Sequence, residues 1–179
     1  YNRHTDQTVN IYSAFLQNEW KNDRWGILIG GRLDKHNMVD NVIFSPRANL
    51  RFNPTQNINL RLSYSSGFRA PQAFDEDMHI ENVGGTVAMI ERAKDLKEEK
   101  SQSFSASADM YHRFGAFQTN LLIEGFYTRL TDVFVLGEPY DRGDGILVKI
   151  RSNGTGDKVM GLTLEGKLAY LSILQIPAG

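Results

Sequence analysis

Between Ser45 and Pro71 the chain reads SPRANLRFNPTQNINLRLSYSSGFRAP, and its apolar side chains recur at every second position. Ala48, Leu50 and Phe52 fall on one face, with Arg47, Asn49 and Arg51 on the other. After Pro54 the pattern resumes, with Ile58, Leu60, Leu62 and Tyr64 set against Asn59, Arg61, Ser63 and Ser65. A period of two excludes an amphipathic helix and describes β-strands with one apolar and one polar side. Pro54-Thr55-Gln56-Asn57 supplies turn chemistry, because proline fixes its own φ and asparagine tolerates left-handed backbone. The stretch is therefore an antiparallel hairpin, and recurrence of its pattern decides what it belongs to.

The pattern recurs along most of the chain. From Thr8 to Trp20, Tyr12, Ala14 and Leu16 alternate with Ser13, Phe15 and Gln17, and Lys21 to Arg24 form a polar turn. Trp25 to Asp34 sets Trp25, Ile27, Ile29 and Leu33 against Gly26, Leu28, Gly30 and Arg32; with Gly31, these glycines suggest bending or close approach from the lumen side. The region Arg69 to Glu99 is too long for a mere connector, and Val87, Ile90 and Leu96 within Thr86 to Lys100 predict a short helix there. Ser101 to Tyr111 alternates again, with Phe104, Ala106, Ala108 and Met110 opposite Ser103, Ser105, Ser107 and Asp109. Ala116 to Leu136 reads as one strand of roughly 65 Å, long for a globular domain. Ile146 to Asn153 and Val159 to Leu171 are strand segments, and Gly154-Thr155-Gly156 between them is either a hairpin or a bulge.

Turns near 22, 55 and 114 are short, whereas loops near 38, 83 and 141 are longer. Sorting by side in this way is the layout of an outer-membrane β-barrel, and a sandwich has no reason to show it. The expected fold class is all-β, an antiparallel meander forming part of a large transmembrane barrel. Trp20, Trp25, Tyr111, Phe114 and Phe117 would form an interfacial aromatic belt on the turn side, with core packing as the alternative.

Composition narrows the function classes. The 20 basic and 21 acidic residues give a net charge of -1, with no surplus to draw nucleic acid or an anionic surface. The absence of cysteine excludes disulfide frameworks and thiolate metal sites. No run reaches the roughly 18 apolar residues of a membrane helix, a test to which barrels are blind. Both ends read as cut from a longer protein.

Phe44-Ser45-Pro46-Arg47, Leu60-Arg61-Leu62-Ser63-Tyr64 and Gly67-Phe68-Arg69-Ala70-Pro71 resemble the barrel of a TonB-dependent outer-membrane receptor. Leu96-Lys97-Glu98-Glu99-Lys100-Ser101 is similar to the family's Leu-Lys-Pro-Glu-Lys run into a strand, Gly125-Phe126-Tyr127 to its Phe-Tyr strand, and Gly161-Leu162-Thr163-Leu164-Glu165-Gly166 to its Gly-Val-Glu-Leu-Glu signature. The matches keep the family's order across nearly the whole chain. Glu98 stands where the family usually has proline, and Gln72-Ala73-Phe74 replaces its acidic-aliphatic step, leaving the ligand class open.

The resemblance implies that residues 1–179 are a partial barrel, about seven to eight strands of a barrel of about twenty-two, with the plug domain and remaining strands absent. It implies that Ile146 to Tyr170 is one long strand bulged at Gly154, with the next beginning at Leu171. It also implies a non-enzymatic receptor of the bacterial outer membrane, binding and importing a scarce, bulky nutrient: a ferric chelate, cobalamin or a glycan. The implied partners are outer-membrane lipid, the receptor's own plug, an inner-membrane energy-coupling protein reached through the missing N-terminal part, and the small-molecule or glycan ligand, but no nucleic acid. The alternative is a soluble all-β module binding a ligand or carbohydrate, its apolar face buried against a second sheet.

Candidate ligand contacts lie in the long loop. Asp75, Asp77 and His79 stand two apart, which in extended backbone places three hard or borderline ligands on one side; a solvated acidic loop tip is the plainer reading. Arg69 either pins the loop through its carboxylates or meets an anionic ligand. His4, His36 and His112 lie near turns and read as surface residues. Glu98 and Glu99 adjoin lysines, so acid-base pairing is not expected. No catalytic constellation, phosphate loop, resident metal or cofactor is expected.

Overall fold

The computed structural model describes residues 8–71, 88–143 and 147–170. Its strands are β1 (Ile11–Lys21), β2 (Trp25–His36), β3 (Ile43–Thr55), β4 (Ile58–Arg69), β5 (Ala88–Arg92), β6 (Glu99–Phe114), β7 (Phe117–Thr131), β8 (Phe134–Leu136), β9 (Tyr140–Asp141), β10 (Leu147–Asn153) and β11 (Asp157–Tyr170). Seven of them form one antiparallel sheet in the order β1-β2-β3-β4-β6-β7-β11, a meander interrupted only where β5 and β8 to β10 leave it. Those four make a small second sheet in which β10 lies between β5 and β8 and also pairs with β9.

Connections of two or three residues, at 22–24, 56–57 and 115–116, close one end of the large sheet. The connections at 37–42, 70–98 and 132–156 leave from the other end, as the alternation of short and long links predicts. Local chemistry explains the short ones. Asn22 Oδ1 accepts from the N–H groups of Arg24 and Trp25 at 2.9 and 2.7 Å. Gly115 takes φ 59°, and a side chain there would meet nothing but strain from the backbone itself. Pro54, which has no N–H to give a ladder, sits where the β3–β4 register shifts between Phe52 and Thr55.

Directly paired residues of an antiparallel sheet share a face. The rows Leu50, Leu62, Ala106, Gly125, Leu162 and Phe52, Leu60, Ala108, Ile123, Leu164 cross five strands on the apolar face. That face is not covered: Ile29 is 54% exposed, Leu62 54% and Leu162 78%. Among the described residues no second sheet packs on it, so the arrangement required of a soluble sandwich is not present. The buried apolar residues are few, and Val39, Ile43 and Ala70 cluster with Phe68 at the long-loop end.

Four expectations need correction. Of the predicted helix within Thr86 to Lys100, residues 86–87 lie outside the described ones and 88–100 are instead β5, irregular backbone and the start of β6, because β5 finds a parallel partner in β10, with Ile90 opposite Lys149. Gly154 to Gly156 form neither a hairpin nor a one-sided bulge. Asp157 faces Leu130 and Asn153 faces Phe134, so register is unchanged while both strands break together, at Asp132 (φ 54°) on one side and Gly156 (φ 106°) on the other. Ala116 to Leu136 is accordingly two strands in line, β7 and β8. The glycines of β2 receive neighbouring side chains of the same sheet. Arg51 and Arg47 lie over Gly26 and Gly30 on the polar face, and Phe44 covers Gly31 on the apolar face. The expected further strand from Leu171 lies outside the described residues, as does Ile146.

Candidate functional site

The two faces and the long-loop end hold the chemistry. On the polar face, the row Arg51, Arg61, Ser107, Glu124 and Thr163 runs across five strands, and Arg47, Ser65, Ser103 and Thr128 form another. Ser103 and Thr128 share a hydroxyl hydrogen bond of 2.9 Å, so the hydroxylated stripe pairs with itself there. Near the short turns Tyr111 donates to Asp109 at 3.1 Å, and Asn120 Nδ2 donates to the other Asp109 oxygen at 2.5 Å.

Tyr111 therefore stands on the polar face, a correction to the expected belt: it is odd in a strand whose apolar positions are even. The other belt residues are placed as expected. Trp25 stacks on Phe52 with ring centroids 4.1 Å apart, Phe114 lies 5.8 Å from Phe117, and Phe117 5.2 Å from Tyr170. All five share the apolar face near the short turns, and Trp20 pairs opposite Ile27 beside them. The middle of this face is dished, with a hollow of about 970 Å³ bounded by Ile29, Leu50, Leu62, Phe104 and Leu162.

At the long-loop end Arg69, the last residue of β4, faces Glu99, the first of β6. Its Nη2 donates to Glu99 Oε2 at 3.4 Å, and its guanidinium lies 5.0 Å from the Phe134 ring centroid. The same Glu99 oxygen accepts the Phe134 N–H at 3.2 Å, across the break between β7 and β8. One carboxylate thus ties three strands together. Asn153 is a second tie: it accepts from Lys97 N–H at 2.8 Å and donates to the carbonyls of Lys97 and Asp132 at 3.1 and 2.6 Å. Glu98 is buried against Lys100 at 3.0 Å, and Arg142 pairs with Glu91 at 3.2 Å.

The sequence reads Glu99 as one of a charged run and Asn153 as the end of a strand segment, and neither reading reveals these ties. Glu99 carried a signal, since alternation from Ser101 backwards places it on the polar face; Asn153 carried none. His36, expected at the surface, is fully buried. Its Nδ1 accepts the Met38 N–H at 3.0 Å, and neighbouring Asp34, also buried, accepts from Ser13 and Arg32 at 2.5 and 2.7 Å. The fold of 37–42 back over the end of β2 encloses it, as the Val39 N–H bond to the His36 carbonyl shows. Of the four candidate ligand contacts, Arg69 is placed as described, while Asp75, Asp77 and His79 lie outside the described residues. Among the described residues no cluster of metal-ligating side chains occurs.

A single antiparallel meander with an exposed apolar face, a polar opposite face and links sorted by length defines a strip of β-barrel wall. The chain belongs to the family of TonB dependent receptor-like β-barrels, whose model matches residues 1–178. Its fold is similar to that of the siderophore receptor PirA from Pseudomonas aeruginosa, at 17% identity and a TM-score of 0.69, covering 88% of this chain and 30% of that one. The ferric enterobactin receptor PfeA gives 19% identity and 0.68, with 91% of this chain and 25% of that one covered. The FrpB iron transporter from Neisseria meningitidis gives 18% and 0.61, with 88% and 24%. The chain thus spans a third or less of these proteins. No curated protein sequence matches it.

Proposed function

We propose that residues 1–179 are part of the wall of an energy-coupled receptor in a Gram-negative outer membrane, which binds a bulky nutrient outside and imports it. The observation that carries this reading is the exposed apolar face of a seven-stranded meander whose links are sorted by side. The work is binding and passage rather than bond chemistry. A plug domain and the remaining strands, encoded outside residues 1–179, would complete the barrel, and an inner-membrane protein would power release.

Among ferric chelate, cobalamin and glycan, the ferric chelate is best supported, because the similar structures are a siderophore receptor, a ferric enterobactin receptor and an iron transporter. Arg69 acts as the anchor of the long loop through Glu99 and Phe134, and Asp75, Asp77 and His79 on that loop are the proposed ligand contacts. The test is uptake by cells carrying the full-length protein, offered labelled ferric chelates, cobalamin or oligosaccharides. The reading expects saturable uptake of a ferric chelate that stops when the proton-motive force is collapsed. Equal entry of all three, indifferent to that force, would contradict it.

A further inference from the structure

Asn153-Gly154 is the one Asn-Gly step in the sequence, and it sits where the long-loop end is tied together. Such a step carries its own chemistry, because a glycine nitrogen, with no Cβ beside it to hinder approach, can attack the side-chain carbonyl carbon of the asparagine before it. The N–Cγ bond forms, the Cγ–Nδ2 bond breaks, and ammonia leaves with the proton that the glycine nitrogen gives up. Water then opens the cyclic imide to aspartate or isoaspartate. The fold dictates both residues. Asn153 accepts from the Lys97 N–H and donates to the carbonyls of Lys97 and Asp132, while a Cβ at position 154 would stand 2.9 Å from Val135 Cγ1, so only glycine fits without a shift.

The same contacts block the reaction. The attacking nitrogen of Gly154 donates to the Val133 carbonyl at 2.7 Å, the leaving amide nitrogen is held by two carbonyls, and pairing opposite Phe134 fixes the Asn153 backbone in the ladder. All of these must release together before the ring can close. We infer that Asn153 is a latent deamidation site, protected while the long-loop end is closed and reactive when it opens, and that its reaction makes the opening permanent. The product carboxylate only accepts. It can still receive the Lys97 N–H, but it meets the carbonyls of Lys97 and Asp132 with no hydrogen to give, and the isoaspartate form also lengthens the backbone at the end of β10 by a methylene. The inference rests on bonds within residues 97–154 and not on the identity of any ligand.

Mass spectrometry of proteolytic fragments reads conversion of the Asn153 amide to an acid in the full-length, membrane-inserted protein held in mildly alkaline buffer. Compared with a synthetic peptide of residues 148–158, the folded protein is expected to convert at least about thirtyfold more slowly, because opening must first break the hydrogen bonds of Asn153 and Gly154. Glu99→Ala, which loosens the same end without touching the dipeptide, should raise the rate about tenfold. Urea below the unfolding midpoint should raise it in the wild type, which keeps the test decisive where the variant fails to insert. Conversion of the folded wild type at the peptide's rate would overturn the protection, and a rate left unchanged in an inserted Glu99→Ala variant or under urea would overturn its control by opening. Asn153→Asp, the product made directly, is expected to speed amide exchange at 97–99 and 132–136. Exchange there as slow as in the wild type would overturn the permanent opening.

Discussion

The two ends of the sheet are held by different means. At the short-turn end, links of two or three residues join strands whose side chains are largely exposed, and the ordered contacts on the apolar side are aromatic: Trp25 on Phe52, Phe114 near Phe117, Phe117 near Tyr170. At the long-loop end lie the buried Val39, Ile43, Ala70 and Val148, the buried Asp34, His36, Glu98 and Arg151, and the ties made by Glu99 and Asn153. A link of two or three residues meets its backbone needs within itself, as Asn22 and Thr55 do by accepting from N–H groups two or three residues on, so nothing is asked of side chains distant in sequence. Links of 70–98 and 132–156 carry backbone groups away from the ladder, and those must be met by side chains or by a second sheet. Length sorting is thus also a sorting of polar ties between residues distant in sequence.

Substitutions at the long-loop end should exceed those at the turn end. Asn153→Ala is expected to do most, since three hydrogen bonds go and the Lys97 and Asp132 backbones lose partners; about 2–4 kcal/mol of local stability should vanish, read as faster amide exchange at 97–99 and 132–136. Glu99→Ala should cost about 1–3 kcal/mol by freeing the Phe134 N–H. Glu99→Gln, keeping an acceptor there, should recover most of it, because the Arg69 pair itself is half exposed and worth little. Trp25→Ala should cost about 1 kcal/mol from the lost Phe52 stack, seen as exchange confined to 22–25 and 51–53. Glu165→Gln, which removes an exposed pair with Lys167, should change no measured stability. If Trp25→Ala disturbed the structure more than Asn153→Ala, the contrast between the ends would be wrong.

The same contrast explains what the sequence made legible. The sheet follows from a two-residue period, which each strand states locally, and so Ala48, Leu50, Leu60, Leu62, Phe104 and Ala106 could be placed on one face by parity alone. Grouping aromatics by position along the barrel instead of by parity misplaces Tyr111, which pairs with Asn120 on the polar face. The long-loop end depends on partners distant in sequence. β5 pairs with β10, more than fifty residues away, and the apolar spacing that reads as a helix cannot report such a partner. His36 is buried by chain that follows it, and Asn153 gains its meaning only from the backbones of Lys97 and Asp132. Family motifs located the strands on which these residues sit, but not their bonds.

The direct measurement compares paired positions one residue apart in the full-length, membrane-inserted protein. Nitroxide labels at Leu62, Phe104 and Leu162 are predicted to be relaxed by oxygen dissolved in lipid and spared by a water-borne nickel chelate; labels at Ser63, Ser105 and Thr163 should show less oxygen relaxation at the same depths. Equal relaxation of the two sets by oxygen, or nickel access at Leu62, Phe104 and Leu162, would contradict a wall with hydrocarbon on one side and an aqueous or protein-filled lumen on the other.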